Sequence, residues 1–143
     1  MLTLNLAQTI IEKTIAAGKD AKMKPLGVVV MDARGTVIAA AISDGSSLAR
    51  FDIAAAKARA CVMFNTGTRG VEKFAKDRPH FFQGAVSAIQ GGIVPVPGGV
   101  LIKSPEGQML GAIGVSGDTS DNDELAALAG VKAAGLVGDA GQG

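Results

Sequence analysis

Among the residues that could do chemistry in this chain, histidine occurs only once, as His80. A single imidazole excludes a multi-histidine metal site within one subunit, but it can serve as a general base or as one axial ligand of a haem iron. His80 lies in the segment Arg78-Pro79-His80-Phe81-Phe82, which the sequence predicts to be a loop. The two phenylalanines could lie on a porphyrin or a substrate, or they could anchor a surface loop to the core. If a haem binds without His80, Met63 or Met109 could be its iron ligand instead.

Acidic side chains cluster after a glycine-serine turn near the end of the chain. Asp121, Asp123 and Glu124 follow Ser116-Gly117 and the capping residues at 119 and 120. Acidic residues at a helix start interact favourably with its partial positive charge, so a purely structural role is one interpretation. The other is a site in which Ser116, Gly117 and the free N–H groups bind an anion while Asp123 or Glu124 acts as acid or base.

Two cations and a glycine pair complete the set of candidate residues. Lys57 lies in the alanine-rich helix DIAAAKARA, where a lysine is usually solvated. Arg34, in a predicted turn, could bind a carboxylate. Gly98 and Gly99 end the segment GGIVPVPGG, which lacks the lysine and the hydroxyl residue of a phosphate-binding loop. Such glycines predict close backbone approach at a ligand pocket or a subunit contact.

The elements that must position these residues alternate between helices and hairpins. Helical spacing predicts helices over about 3–22, 48–64, 69–76 and 121–136. Apolar runs that flank two four-residue turns, each ending in glycine, predict strands over 27–31, 36–42, 100–103 and 109–115, and 92–95 is a candidate fifth strand. We therefore expect an α+β fold, with a central antiparallel sheet of about five strands flanked by helices. Residues 137–143 are expected to be a frayed tail.

Composition predicts a single domain over residues 1–143 that associates with itself. The chain has 48% hydrophobic residues but neither Trp nor Tyr, so its core must be filled by small and branched side chains. Surplus apolar surface of this kind favours a homo-oligomer larger than a dimer. The net charge of +1 indicates neither a nucleic-acid partner nor an anionic membrane, and the absence of a signal-like N-terminus predicts a cytoplasmic protein. Cys61 is expected to be a buried structural residue.

Three motifs resemble the GlcG/HbpS-like family, which includes the C-terminal domain of PduO-type proteins. They are PVPGGV, GAIGVSG followed by an acidic helix start, and DIAAAKARA, and the resemblance extends over residues 4–134. It implies a profilin-like fold and, for some members, haem binding. It also implies that Lys57 matches a recurrent lysine of the family, which suggests an anchor for a carboxylate or for the acidic helix start, where Lys57 could pair with Asp123 or Glu124. Other members occur beside catabolic genes.

These observations favour an oligomeric small-ligand-binding protein, with haem or a related planar or anionic compound as the ligand. The alternative is a catabolic isomerase, hydrolase or lyase that acts on an organic acid. In that enzyme Lys57 or Arg34 would bind the carboxylate, and Asp123, Glu124 or His80 would transfer the proton. In either case we expect a ligand site where PVPGG, GVSG and the Lys57 helix converge.

Overall fold

Two β-hairpins of similar construction supply four of the five strands. The computed structural model describes residues 1–142. Its elements, in chain order, are α1 (Leu4–Asp20), β1 (Gly27–Asp32), β2 (Val37–Ile42), α2 (Arg50–Phe64), α3 (Thr68–Asp77), α4 (Pro79–Ala88), β3 (Gly99–Lys103), β4 (Met109–Ser116), α5 (Ser120–Ala133) and β5 (Val137–Asp139). Each hairpin turn ends in a glycine with positive φ, +83° at Gly35 and +92° at Gly107, a conformation that glycine adopts without steric cost. The predicted hairpins are confirmed.

The strands form one antiparallel sheet in the order β2-β1-β4-β3-β5. The two hairpins pair through β1 and β4, with Gly27 opposite Ser116 and Asp32 opposite Gly111. The number of strands agrees with the prediction, but the fifth strand lies elsewhere in the sequence. The segment 92–95 is in no strand, and Val137–Asp139 pairs with β3 instead.

The expectation of a frayed tail is therefore wrong for residues 137–139. The β3 pairing and an ion pair of 2.8 Å between Lys103 Nζ and Asp139 Oδ2 fix this segment. Further along, the carbonyl of Ala140 accepts a hydrogen bond from Arg69 N at the start of α3. The prediction of a frayed tail was based on the local glycine content, whereas the contacts that fix this segment come from residues distant in sequence. Gly143 lies outside the described residues.

The sheet separates two apolar layers. Successive residues of a strand point to opposite faces, and in β1 Val28 and Val30 pack with α1 and α5 whereas Val29 and Met31 pack against α2. Helix α2 lies so close to β4 that a Cβ atom at Gly114 would be 1.8 Å from the Ala54 carbonyl oxygen. The small residues of the core therefore serve to bring helix and sheet into direct contact.

A third apolar cluster joins α2, α3 and α4 beyond the edge of the sheet. Four of the five phenylalanines gather here, with ring centroids 5.6 to 6.2 Å apart. The segment around Pro79 and His80, predicted to be a loop, is the first turn of α4. Pro79 is compatible with this position because the first N–H groups of a helix have no intrahelical partner. Within residues 1–142, no helix is long and apolar enough to cross a membrane.

Candidate functional site

The structure brings Lys57 and Asp123 together in the interior. Lys57 Nζ donates hydrogen bonds to Asp123 Oδ2 at 3.1 Å and to the carbonyl of Val115 at 2.9 Å, and both charged side chains are only 2% exposed. The solvated interpretation of Lys57 is therefore wrong, and the pairing with Asp123 is confirmed. Gly98 makes room for the ammonium group, because a Cβ atom there would be 2.6 Å from Lys57 Nζ.

Burial opposes the charge on both members of this pair. Desolvation lowers the pKa of Lys57 and raises the pKa of Asp123, while the attraction between the two charges acts in the opposite direction. The backbone N–H of Asp118 donates to the second carboxylate oxygen of Asp123 at 2.9 Å. The pair therefore links α2, the end of β4 and the start of α5 through hydrogen bonds that leave little of either charge exposed.

Ser116 and Gly117 lie beside this pair, but the protein itself occupies the space expected for an anion. The Ser116 hydroxyl accepts a hydrogen bond of 2.7 Å from Arg50 Nη1, and Ser116 is buried. A Cβ atom at Gly117 would lie 2.2 Å from the carbonyl oxygen of Pro25. Sequence reasoning missed Arg50, which belongs to no motif and is identified only by the contact of α2 with β4.

Glu124 faces a different arginine. Arg69, the second residue of α3, donates to both carboxylate oxygens of Glu124, from Nε and Nη2, at 3.0 Å each. Nη2 also bonds Asp121 Oδ1 at 2.7 Å, and these bonds raise the pKa of Arg69. The Glu124 side chain is 6% exposed. A carboxylate fixed in this way is a structural anchor for α3, and Arg69 too was not identified from the sequence.

Gly99 and Cys61 belong to the same closed packing. The Thr68 hydroxyl and the backbone of Gly99 bond each other twice, at 2.8 and 3.2 Å. A Cβ atom at Gly99 would be 2.5 Å from Thr68 Cγ2 and 2.8 Å from Cys61 Sγ. Burial raises the pKa of the Cys61 thiol, so this cysteine is a protonated core residue, as expected. PVPGG, GVSG and the Lys57 helix thus converge as predicted, but the space between them is filled by protein atoms.

Arg34 lies apart from all of these residues. It is in the β1–β2 turn, paired with Asp32 at 3.3 Å, with its side chain 84% exposed. Backbone hydrogen bonds, first of all from Thr36, lower the pKa of Asp32. Ser116 pairs with the opposite end of β1, five residues from Asp32, which at about 3.3 Å per residue is roughly 17 Å away. Arg34 and Lys57 therefore cannot bind the same small carboxylate.

Two of the cavities hold candidate residues. The smaller, about 410 Å³, is lined by Arg34 and Met109 at the turn ends of the two hairpins, and the larger is a groove of about 810 Å³ between the end of α2 and α4. Met63 and Phe64 line one side, and His80, Phe81 and Gly84 line the other. Met63 and Phe81 are 53% and 48% exposed, a large fraction for apolar side chains. Met109, the other alternative iron ligand, lies in β4, away from this groove.

Small residues of α4 line part of the groove. His80, Gly84 and Ala88 follow one another at four-residue spacing on α4, and so form one row on the helix surface. A Cβ atom at Gly84 would meet no other atom within 4 Å, so the space above this residue is open. An imidazole at one end of a row of small residues, beside exposed apolar side chains, is an arrangement that a flat apolar molecule can occupy.

Comparisons with known proteins agree with the resemblance seen in the sequence. The model of the family described as haem degrading protein HbpS-like matches residues 2–132. Among solved structures, a double mutant of Streptomyces reticuli HbpS is 27% identical with a TM-score of 0.80, and the alignment covers 92% of this chain and 86% of that one. No curated protein sequence matches the chain significantly.

Two more distant structures share the fold. A complex of PduOC with heme is 21% identical with a TM-score of 0.82, covering 92% of this chain and 94% of that chain. The Klebsiella pneumoniae protein ORFY, of the DUF336 family, is 23% identical with a TM-score of 0.83, covering 93% and 90%. The α+β architecture is therefore common to all of these proteins.

Proposed function

Because this chain belongs to the family of HbpS-like haem-degrading proteins, we propose that it binds haem or a closely related tetrapyrrole in the groove between α2 and α4. The observation that carries the proposal is the position of His80. The only imidazole of the chain is exposed at the rim of an apolar groove, and it lies on a helix rather than on a flexible loop.

The groove has the properties that such a ligand requires. Its volume lies within the roughly 300–1,000 Å³ range typical of small-molecule sites. Haem has a flat apolar body, and burying apolar surface against Met63, Phe64 and Phe81 contributes about 25 cal/mol per Å². A ring nitrogen of His80 would supply the axial ligand, while bound haem would supply the redox-active iron. The residues present therefore fit the group.

The alternative of an organic-acid enzyme receives less support from the same structure. Its proposed acid and base residues, Asp123 and Glu124, are buried in ion pairs with Lys57 and Arg69. Its proposed carboxylate ligands, Lys57 and Arg34, do not share a cavity. We propose binding rather than turnover of an organic acid as the primary activity. A homo-oligomer larger than a dimer and a cytoplasmic location remain predictions from the sequence.

The test is a haemin titration of the purified protein followed by its absorption spectrum. We expect a saturable Soret shift in the wild type, which His80→Ala abolishes while the unfolding midpoint stays unchanged. Met63→Leu and Met109→Leu are the matched controls, since each removes a possible sulfur ligand at little change in volume, and both should keep the shift. An unchanged Soret shift in His80→Ala would refute the assignment of the groove.

A further inference from the structure

Arg78 is the arginine whose side chain has no hydrogen-bond acceptor among residues 1–142. The other arginines donate to Asp32, to Ser47 and Ser116, to the carbonyls of Gly91 and Gly92, and to Asp121 with Glu124. Arg78 makes neither a side-chain hydrogen bond nor a salt bridge within the described chain. Its guanidinium group therefore retains five free donors.

Aromatic rings hold this unpaired group at the groove. The Arg78 Cζ atom lies 4.6 Å from the ring centroid of Phe81 and 5.6 Å from that of Phe74. Such stacking contacts the face of the guanidinium and leaves its N–H edges available for a planar anion. Arg78 immediately precedes α4, and it lines the groove together with His80.

We propose that Arg78 binds a carboxylate of the ligand and makes the groove selective for flat apolar molecules that carry a carboxylate at one edge. This inference rests on the proposed function, because the same groove holds the ligand. A tetrapyrrole with free propionate groups has this chemistry, whereas its diester has the same flat body without the charge. The guanidinium fork matches a carboxylate with two parallel hydrogen bonds, and charge-assisted bonds of this kind are stronger than neutral ones.

No other cation of the groove performs this task. The lining residues are Arg78, His80 and seven neutral residues. Arg59 lies one helical turn before Met63 on α2, but its Nη1 atom already donates to the carbonyls of Gly91 and Gly92, at 3.1 and 2.8 Å. Arg78 is therefore the fixed positive charge available to a ligand edge at this site.

The experiment uses metal-free protoporphyrin IX and its dimethyl ester, so that iron ligation by His80 does not enter. Affinities are measured by porphyrin fluorescence. We expect the wild type to bind the free acid about tenfold or more tightly than the diester. Arg78→Met keeps an apolar side chain on the rings and should remove this preference while the diester affinity stays within about threefold. Arg78→Lys should restore part of the preference, because lysine keeps the charge without the fork.

Two control variants separate the possible failures. Lys13→Met removes one exposed positive charge on α1 and should leave both affinities unchanged. Gly84→Leu projects a side chain into the open groove and should weaken both porphyrins. If Gly84→Leu changes neither affinity, the groove is not the site and the proposed function fails with the inference.

If Gly84→Leu blocks binding but Arg78→Met leaves the selectivity intact, only the role of Arg78 is refuted. If Arg78→Met alters the oligomer mass and weakens both porphyrins equally, Arg78 acts at a contact between copies, and the inference is overturned in that case too.

Discussion

Replacing Lys57 by methionine should destabilise the fold strongly, because it leaves Asp123 buried without a counter-charge. Lys57 and Asp123 are each 2% exposed, and each is the other's salt-bridge partner, at 3.1 Å. Methionine fills a similar volume, so the main loss is electrostatic rather than a cavity. Removing one member of a buried pair typically costs about 3–5 kcal/mol.

The pH dependence of this cost follows from the burial of Asp123, which raises the pKa of its carboxyl group further once the opposing Lys57 charge is removed. In Lys57→Met the carboxyl group avoids burying a charge by taking up a proton on folding. Starting from an unfolded pKa of about 3.9, protonation costs about 4 kcal/mol at pH 7 and about 1.5 kcal/mol at pH 5. When the pKa of an acid is higher in the folded state than in the unfolded state, the folded protein becomes more stable as the pH falls towards the pKa of the unfolded state. The stability deficit of the variant relative to wild type should therefore shrink between pH 7 and pH 5, by at most about 2.5 kcal/mol.

Urea denaturation of both proteins at pH 7 and pH 5 measures these differences in the free energy of unfolding. The double variant Lys57→Met, Asp123→Leu is the control, since it removes both charges and should be more stable at pH 7 than Lys57→Met alone. A loss below about 1 kcal/mol at pH 7 for Lys57→Met, or equal losses at both pH values, would show that the pair is not buried as described.

Three further outcomes are expected. A backbone hydrogen bond from Lys24, with further bonds from Asn122 and Thr119, lowers the pKa of Asp118 to about 2. The stability that Asp118 contributes is therefore present above its unfolded pKa of about 3.9 and is lost as the pH falls through about 2. In acid titrations, Asp118→Asn should make the free energy of unfolding less dependent on pH in this range. Gly114→Ala should lower the free energy of unfolding by about 1–3 kcal/mol, because its Cβ meets the Ala54 carbonyl. Gly84→Ala lies in open space on a helix and should raise the free energy of unfolding by about 0.5–1 kcal/mol. Thermal melts that rank the two variants alike would contradict this packing. Light scattering should give a mass above that of a dimer, and a 14 kDa monomer at micromolar concentration would contradict the predicted assembly.

The sequence alone determined the local elements and how some of them combine. Thr3 and Thr119, a residue type favoured at N-caps, cap α1 and α5, and both hairpin turns end at the glycines that allow positive φ. The similar construction of the two hairpins also predicted that they share one sheet. These properties depend on backbone conformation and side-chain periodicity over a few residues, which is why a single sequence is sufficient to derive them.

The tertiary structure alone decided which charged residues are available to a ligand. Lys57, Ser116, Asp123 and Glu124 were candidate site residues, but α2 and α3 bring Arg50 and Arg69 against them, and the cluster closes. Pro79 and His80 were assigned to a loop, and packing of the phenylalanines placed them on α4 beside an open groove. Burial and ion pairing depend on partners tens of residues apart, and no local pattern in the sequence specifies such contacts.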